Sequence, residues 1–177
     1  MKSLTAFTKT PLTNTLQVQG EVTPLSDSRL LVEFKITGST DAIKWPESSS
    51  SERREDGLWK HTCLEVFLGN GATPESPYLE INCAPNGHWN AYSFSKYREG
   101  MAPATDTRVR LQPRNSEDAE ARFQIEIDSR KPLDFTCLGL TAVIEFVDGT
   151  LSYWSLFHPG PQADFHNKAG WTALSTH

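Results

Sequence analysis

Apolar and polar positions alternate with a period of two along most of this chain. In the run 29–36, Leu30, Val32, Phe34 and Ile36 fall on one side and mostly charged residues on the other. The run 62–68 repeats the pattern, with Leu64, Val66 and Leu68 inward. Similar runs, rich in β-branched and aromatic residues, cover 78–83, 89–94, 108–111, 121–127, 138–147 and 151–157, and a weaker one covers 16–22. Successive side chains of a strand point to opposite faces, so each run predicts a half-buried β-strand. No stretch keeps a helical stripe over several turns. Asn70-Gly71, Pro85-Asn86-Gly87 and Asp148-Gly149 supply turn chemistry between the runs. About eight or nine short strands so spaced predict an all-β fold, an antiparallel β-sandwich or jelly roll. The stretch 48–57 (SSSSERREDG) reads as a mobile polar loop. It interrupts one domain rather than joining two, because neither flank has enough strands for a closed core, so 1–177 is read as a single domain.

The hairpin over 62–84 allows a deduction about register. If Leu64, Val66 and Leu68 share the core face with Leu79, Ile81 and Cys83, directly opposed residues must lie on one face. One register would set Glu65 against Glu80, two like charges. The alternative sets Glu65 opposite Asn82 and Phe67 opposite Glu80, which is cheaper. Cys63 and Cys83 then project to opposite faces and cannot bridge.

Composition narrows the partners. The chain has 177 residues, one domain's length, with 17 Lys+Arg against 22 Asp+Glu for a net charge of −5. Phosphate backbones are repelled on average and no basic run reverses this, which argues against nucleic acid. No apolar run approaches the roughly 18 residues of a membrane span. Residues 1–9 contain no apolar stretch of a secretory signal. Cys63, Cys83 and Cys137 are odd in number and share no CxxC spacing, so neither a disulfide framework nor a zinc ribbon is expected. The expectation is a cytoplasmic protein with reduced, mostly buried thiols.

Candidate chemistry sits on the other face of the same hairpin: His61, Glu65, Phe67, Tyr78, Glu80 and Asn82. Carboxylates and an amide suit vicinal hydroxyls, and aromatic faces cover the C–H face of a sugar ring, so this mixture suits a polyhydroxylated ligand. A solvated sandwich edge is the competing reading. Of the five tryptophans, Trp45 and Trp59 flank the polar loop and Trp89 follows a turn, placements that suit ligand platforms as well as core packing. Trp154 reads as core or rim. Arg98 could clamp an anionic group or pair with Glu65 or Glu80. His158, Asp164 and His166 lie on a loop after the last strong strand; with His61 or Glu65 they could hold zinc or another divalent ion, as in a metal-dependent hydrolase. Their spacing matches no strong metal motif, and turn capping by Asp164 with rim histidines is the alternative. GxSxG, GxxxxGK[ST], GxGxxG and HExxH are all absent.

The segments LWKHTCLEVFL (58–68), YLEINCAPNGHWNAY (78–92) and Tyr97-Arg98 resemble the DOMON-like superfamily, in particular the branch near family 9 carbohydrate-binding modules. The closing stretch from Tyr153-Trp154 to Asp164-Phe165-His166 is similar to the end of uncharacterised bacterial members, and the likeness spans roughly 15–175. The resemblance implies an immunoglobulin-like β-sandwich with a ligand pocket on one sheet or at its rim. It implies sugar binding between aromatic residues, in some relatives with structural calcium, and in others haem b held by Met and His. Trp59, Glu65, Asn82 and Trp89 fall where the pattern matches best. For haem, Met101 with His158 or His166 would be the candidates. The resulting expectation is a non-catalytic module for a small molecule or glycan that stacks on Trp59 and Trp89. Glu65, Glu80, Asn82, Arg98 and the histidines 61, 158 and 166 supply its polar contacts, and no cofactor is required.

Overall fold

A computed structural model of the chain describes residues 1–71, 73–114 and 119–173. In chain order its strands are β1 (Lys2–Ala6), β2 (Leu16–Ser26), β3 (Arg29–Gly38), β4 (Cys63–Gly69), β5 (Tyr78–Cys83), β6 (Trp89–Phe94), β7 (Ala102–Pro103), β8 (Thr107–Arg114), β9 (Glu120–Ser129), β10 (Cys137–Glu145), β11 (Leu151–Ser155) and β12 (Thr172–Ala173). All their pairings are antiparallel, in the order β7-β6-β5-β4-β10-β11-β1-β2-β3-β9-β8, with β12 added to β10. Strand β1 pairs with β2 through Lys2–Leu4 and with β11 through Thr5 and Ala6. It therefore carries the ladder from one layer to the other, and the protein is the antiparallel β-sandwich that the alternation predicts. No described helix is long and apolar enough to cross a membrane.

Every strand run read from the sequence is present, with ends that differ by a few residues. Strands β1, β7 and β12 were not predicted. Two of them have only two residues, and β1 buries only Leu4, so none has enough alternation to register. Strands β4 and β5 take the register that places Glu65 opposite Asn82 and Phe67 opposite Glu80. Cys63 packs with Leu58, Ala84 and Val143, whereas Cys83 joins the inter-sheet core, and all three cysteines are free and buried.

The core lies between the two layers, where Val32, Phe34, Ile36 and Ile125 of one sheet meet Leu64, Val66, Ile81 and Leu140 of the other. Each such side chain contributes about 1.5–3 kcal/mol on burial. Strands β4 and β10 depart from simple alternation, because every residue in both is buried. Their outer faces are covered by the segment that follows β11. Its Trp171 ring lies against Phe67, 5.5 Å between centroids, and donates Nε1–H to the Phe165 carbonyl at 2.8 Å. Gly139 makes this approach possible: a Cβ there would sit 2.8 Å from the Trp171 ring. Lys168 fastens the same cover by donating from Nζ to the Ser76 carbonyl at 2.8 Å.

The second half of the stretch 48–57 is bonded to the sandwich. Trp89 N–H donates to the Arg53 carbonyl, and Glu55 N–H donates to the Trp89 carbonyl, both at 3.0 Å. The Arg54 guanidinium lies 4.3 Å from the Trp89 ring centroid and donates to the carbonyls of Ala104 (2.7 Å) and Thr107 (2.6 Å). Planar guanidinium stacking plus forked donation suits Arg here, and it ties the second half of the stretch across the sandwich.

Candidate binding cavity

A cavity of about 350 Å³ opens on the outer face of β4–β6, under the segment after β11. Its floor comes from period-two geometry: Glu65 and Phe67 on β4, Glu80 on β5 and Phe94 on β6 point the same way. Its walls are Trp59, Arg98, Tyr153, Phe165 and His166, with Met101 at the edge. Trp59 is positioned by the chain before it. Gly57, at φ +78°, turns into a 3-10 turn over Leu58–Lys60, a backbone conformation that favours glycine. Asp56 holds this turn by accepting from the Tyr92 hydroxyl (2.6 Å) and Asn90 Nδ2 (2.8 Å). The Trp59 ring then meets Tyr92 edge-on, 5.9 Å between centroids.

The polar groups of the floor are deeply buried. Glu65 is 2% exposed; its Oε2 accepts from Thr141 Oγ1 at 3.2 Å and its Oε1 has no partner. Glu80, 6% exposed, accepts at Oε1 from Asn82 Nδ2 at 2.7 Å, and the Asn82 Oδ1 has no partner. Burial drives the Glu65 carboxyl well above its ordinary pKa, and the neighbouring Glu80 charge adds to it. Burial also raises Glu80, while the Asn82 hydrogen bond and the Arg98 charge pull it back.

His166 joins this floor to the rim. The Tyr78 hydroxyl accepts from Arg98 N–H at 3.2 Å and lies 2.7 Å from His166 Nδ1. Burial pushes Tyr78 up to about 12, so its hydroxyl keeps its proton, and with Arg98 N–H already donating to its oxygen that proton is assigned to Nδ1. That assigns the remaining ring proton to Nε2, which lies 3.7 Å from Glu80 Oε2. Burial, helped by the Arg98 charge, lowers His166 to about 4. The His166–Glu80 contact is therefore not an ion pair at neutral pH, despite its ion-pair distance. Arg98, at φ +55°, donates from Nη2 to Asp164 Oδ1 at 2.8 Å, and Tyr97 donates to Oδ2 at 2.6 Å. A left-handed non-glycine residue stores strain, and here the Tyr78 and Asp164 contacts hold it.

Of the residues singled out in the sequence, Trp59, Glu65, Glu80, Arg98 and His166 border the cavity. Asn82 lies behind them and orients Glu80. Trp89 does not take part: it is 9% exposed, packs in the inter-sheet core and is capped by Arg54. His61 borders a different hollow, where its Nδ1 contacts Glu145 Oε2 at 2.8 Å. His158 does not line the cavity: it lies 2.9 Å from the Thr5 carbonyl and against the Phe7 ring, with its own ring 6.5 Å from that of the wall residue Phe165. Phe94, Tyr153 and Phe165 were missed. For Phe94 the signal was its parity with Tyr78 across β5 and β6; for Phe165 it was the near-continuous apolar run of β10, which marks a strand covered on both faces and so implies a covering segment.

The groups implied by resemblance do not fit these residues. A haem iron would need an imidazole nitrogen, but Nδ1 of His166 is bonded to Tyr78 and Nε2 is directed at Glu80, while His158 is elsewhere. Calcium takes about 6–8 oxygen ligands. Among the described residues no three His, Cys, Asp or Glu side chains are grouped to hold a metal ion, which also removes the hydrolase set His158, Asp164 and His166.

The fold and the cavity together define an all-β sandwich with an aromatic-walled, acid-floored hollow on the outer face of one sheet. No family model matches the chain, and no curated protein matches it in sequence. Two solved structures share its fold. A proposed carbohydrate-binding protein from Bacteroides uniformis superposes with a TM-score of 0.60 at 13% identity, over 90% of this chain and 78% of that one. A family 9 carbohydrate-binding module from Caldicellulosiruptor kristjanssonii, in complex with glucose, gives 0.56 at 12% identity, over 95% of this chain and 78% of that one. At such identities the likeness is one of fold.

Proposed function

We propose that this protein is a non-catalytic module that binds a small polyhydroxylated ligand, a carbohydrate, in the cavity between Trp59, Glu65, Glu80, Arg98 and His166. The observation that carries the reading is the unpartnered, buried Oε1 of Glu65 at the floor of an aromatic-walled hollow. Buried polar atoms are almost always hydrogen-bonded, so this one leaves a place that a donor from a ligand can fill. A sugar hydroxyl supplies it, while the Trp59 and Phe165 rings offer faces to the sugar's C–H groups. The glucose bound by a family 9 module of the same fold, and the sequence's resemblance to the DOMON-like superfamily, support this reading.

Calorimetric titration with glucose, xylose and their short oligomers tests the proposal. Stacking and charge-assisted bonds of this number give dissociation constants of about micromolar to millimolar. Binding that is lost in Trp59→Ala supports it; no heat with any saccharide, or binding indifferent to Trp59, overturns it.

A further inference from the structure

We infer, resting on the saccharide reading of this cavity, that the preferred ligand carries an ammonium group among its hydroxyls, as an amino sugar does, seated against Glu65 and Glu80. The argument is one of charge. Glu65 and Glu80 are both nine-tenths buried or more, both border the cavity, and Glu65 presents an oxygen without a partner. Their protein donors, Thr141 and Asn82, are neutral. Arg98, the one Lys or Arg among the described cavity residues, is already answered by Asp164 at 2.8 Å. The ring of His166 is neutral because Tyr78 donates to its Nδ1 and burial opposes its charging. Lys168 is spent on the Ser76 carbonyl and lies against Tyr78 and Trp171, outside the cavity. The other titratable neighbours of the pair, Cys63, Cys83 and Tyr92, are raised by burial and hold their protons. The floor is thus two buried acids with no Lys or Arg in salt-bridge contact among the described residues, Arg98 acting on Glu80 only through its field.

An isolated buried charge is costly unless a partner of opposite sign is present. A neutral sugar would leave the pair protonated or unpaired. An ammonium supplies both the missing charge and three donors in one group. The walls agree with this choice, because Trp59 and Phe165 line the same cavity and aromatic rings attract a cation at close range. The hydroxyls beside the ammonium then fall to Arg98 and His166 Nε2–H at the rim.

Calorimetric titration of the full chain at about pH 6, where an aliphatic amine is protonated, compares glucosamine, glucose, N-acetylglucosamine and choline. Glucosamine should bind at least about tenfold more tightly than the other three. Glu65→Gln and, independently, Glu80→Gln should each bring glucosamine down to the level that glucose shows with the same variant. Thermal melts confirm that each variant folds, and either variant alone decides the point. Glucose or N-acetylglucosamine binding as tightly as glucosamine overturns the inference but leaves the saccharide reading standing. Choline matching glucosamine overturns it by showing an ammonium site with no use for hydroxyls. Silence from every sugar overturns both.

Discussion

Glu65 and Asn82 face each other directly across β4 and β5, and each buries a side-chain oxygen that accepts no hydrogen bond. Two acceptors so placed lack a donor, and a proton on Glu65 or a donor from a ligand can supply one. Glu65→Gln places an amide donor permanently at this position and removes the desolvated charge. In the absence of ligand it should stabilise the fold at pH 8 by about 1–2 kcal/mol, read from urea unfolding. A loss of stability would show that the wild-type carboxylate is already paired.

The pH dependence of stability should have two opposed arms. Glu65 has a folded pKa raised above its ordinary 4.5, so the folded state keeps a proton that the unfolded chain releases. Its contribution is complete below that value and is lost as pH rises toward the folded pKa, at up to about 1.4 kcal/mol per pH unit. His166 runs the other way. Lowered from 6.5 to about 4, it stays neutral in the fold while the unfolded chain takes up a proton, so stability is lost as pH falls through that window. The loss is on the order of 2–3 kcal/mol. Unfolding midpoints measured across the range should show Glu65→Gln flattening the first arm and His166→Gln the second. Parallel curves for all three proteins would refute both assignments.

Gly139→Ala should loosen the cover over the cavity. The added Cβ would lie 2.8 Å from the Trp171 ring and 3.3 Å from Phe67 Cβ. Overpacking of this kind costs about 1–3 kcal/mol. The melting temperature should fall and tryptophan emission should shift to the red as Trp171 leaves its site. An unchanged emission spectrum would place the relaxation in the strand instead.

Trp59 and Trp89 should respond oppositely to truncation. Trp59→Ala removes a half-buried wall residue, so saccharide binding should be lost with little change in melting temperature. Trp89→Ala empties part of the inter-sheet core and removes the surface on which Arg54 rests. It should cost about 3–5 kcal/mol of stability. A stable Trp89→Ala protein with impaired binding would return Trp89 to the site.

Much of the site was legible because strand geometry is local. Glu65, Glu80 and Asn82 share a face by period alone, and avoidance of Glu65 opposite Glu80 sufficed to choose the register that the fold adopts. Trp89 misled because its place after a turn looks exposed, whereas its parity puts it with Cys83 and Ala91 on the core side. His61 and His158 misled because imidazoles attract attention irrespective of direction, and each has its partner outside the cavity lining.

From its own letters the chain determines its longer strands, their turns and the alternate facing of residues along them, since alternation is a property of neighbours two apart. What covers the outward face of β4 and β10 was decided only in three dimensions. Phe165, His166 and Trp171 come from a stretch with no periodicity, about a hundred residues beyond the glutamates they enclose. Their return over the sheet is driven by apolar area and by the space that Gly139 leaves for an indole ring. That return turns what would be an open face into a desolvated one, and desolvation raises the two carboxyls.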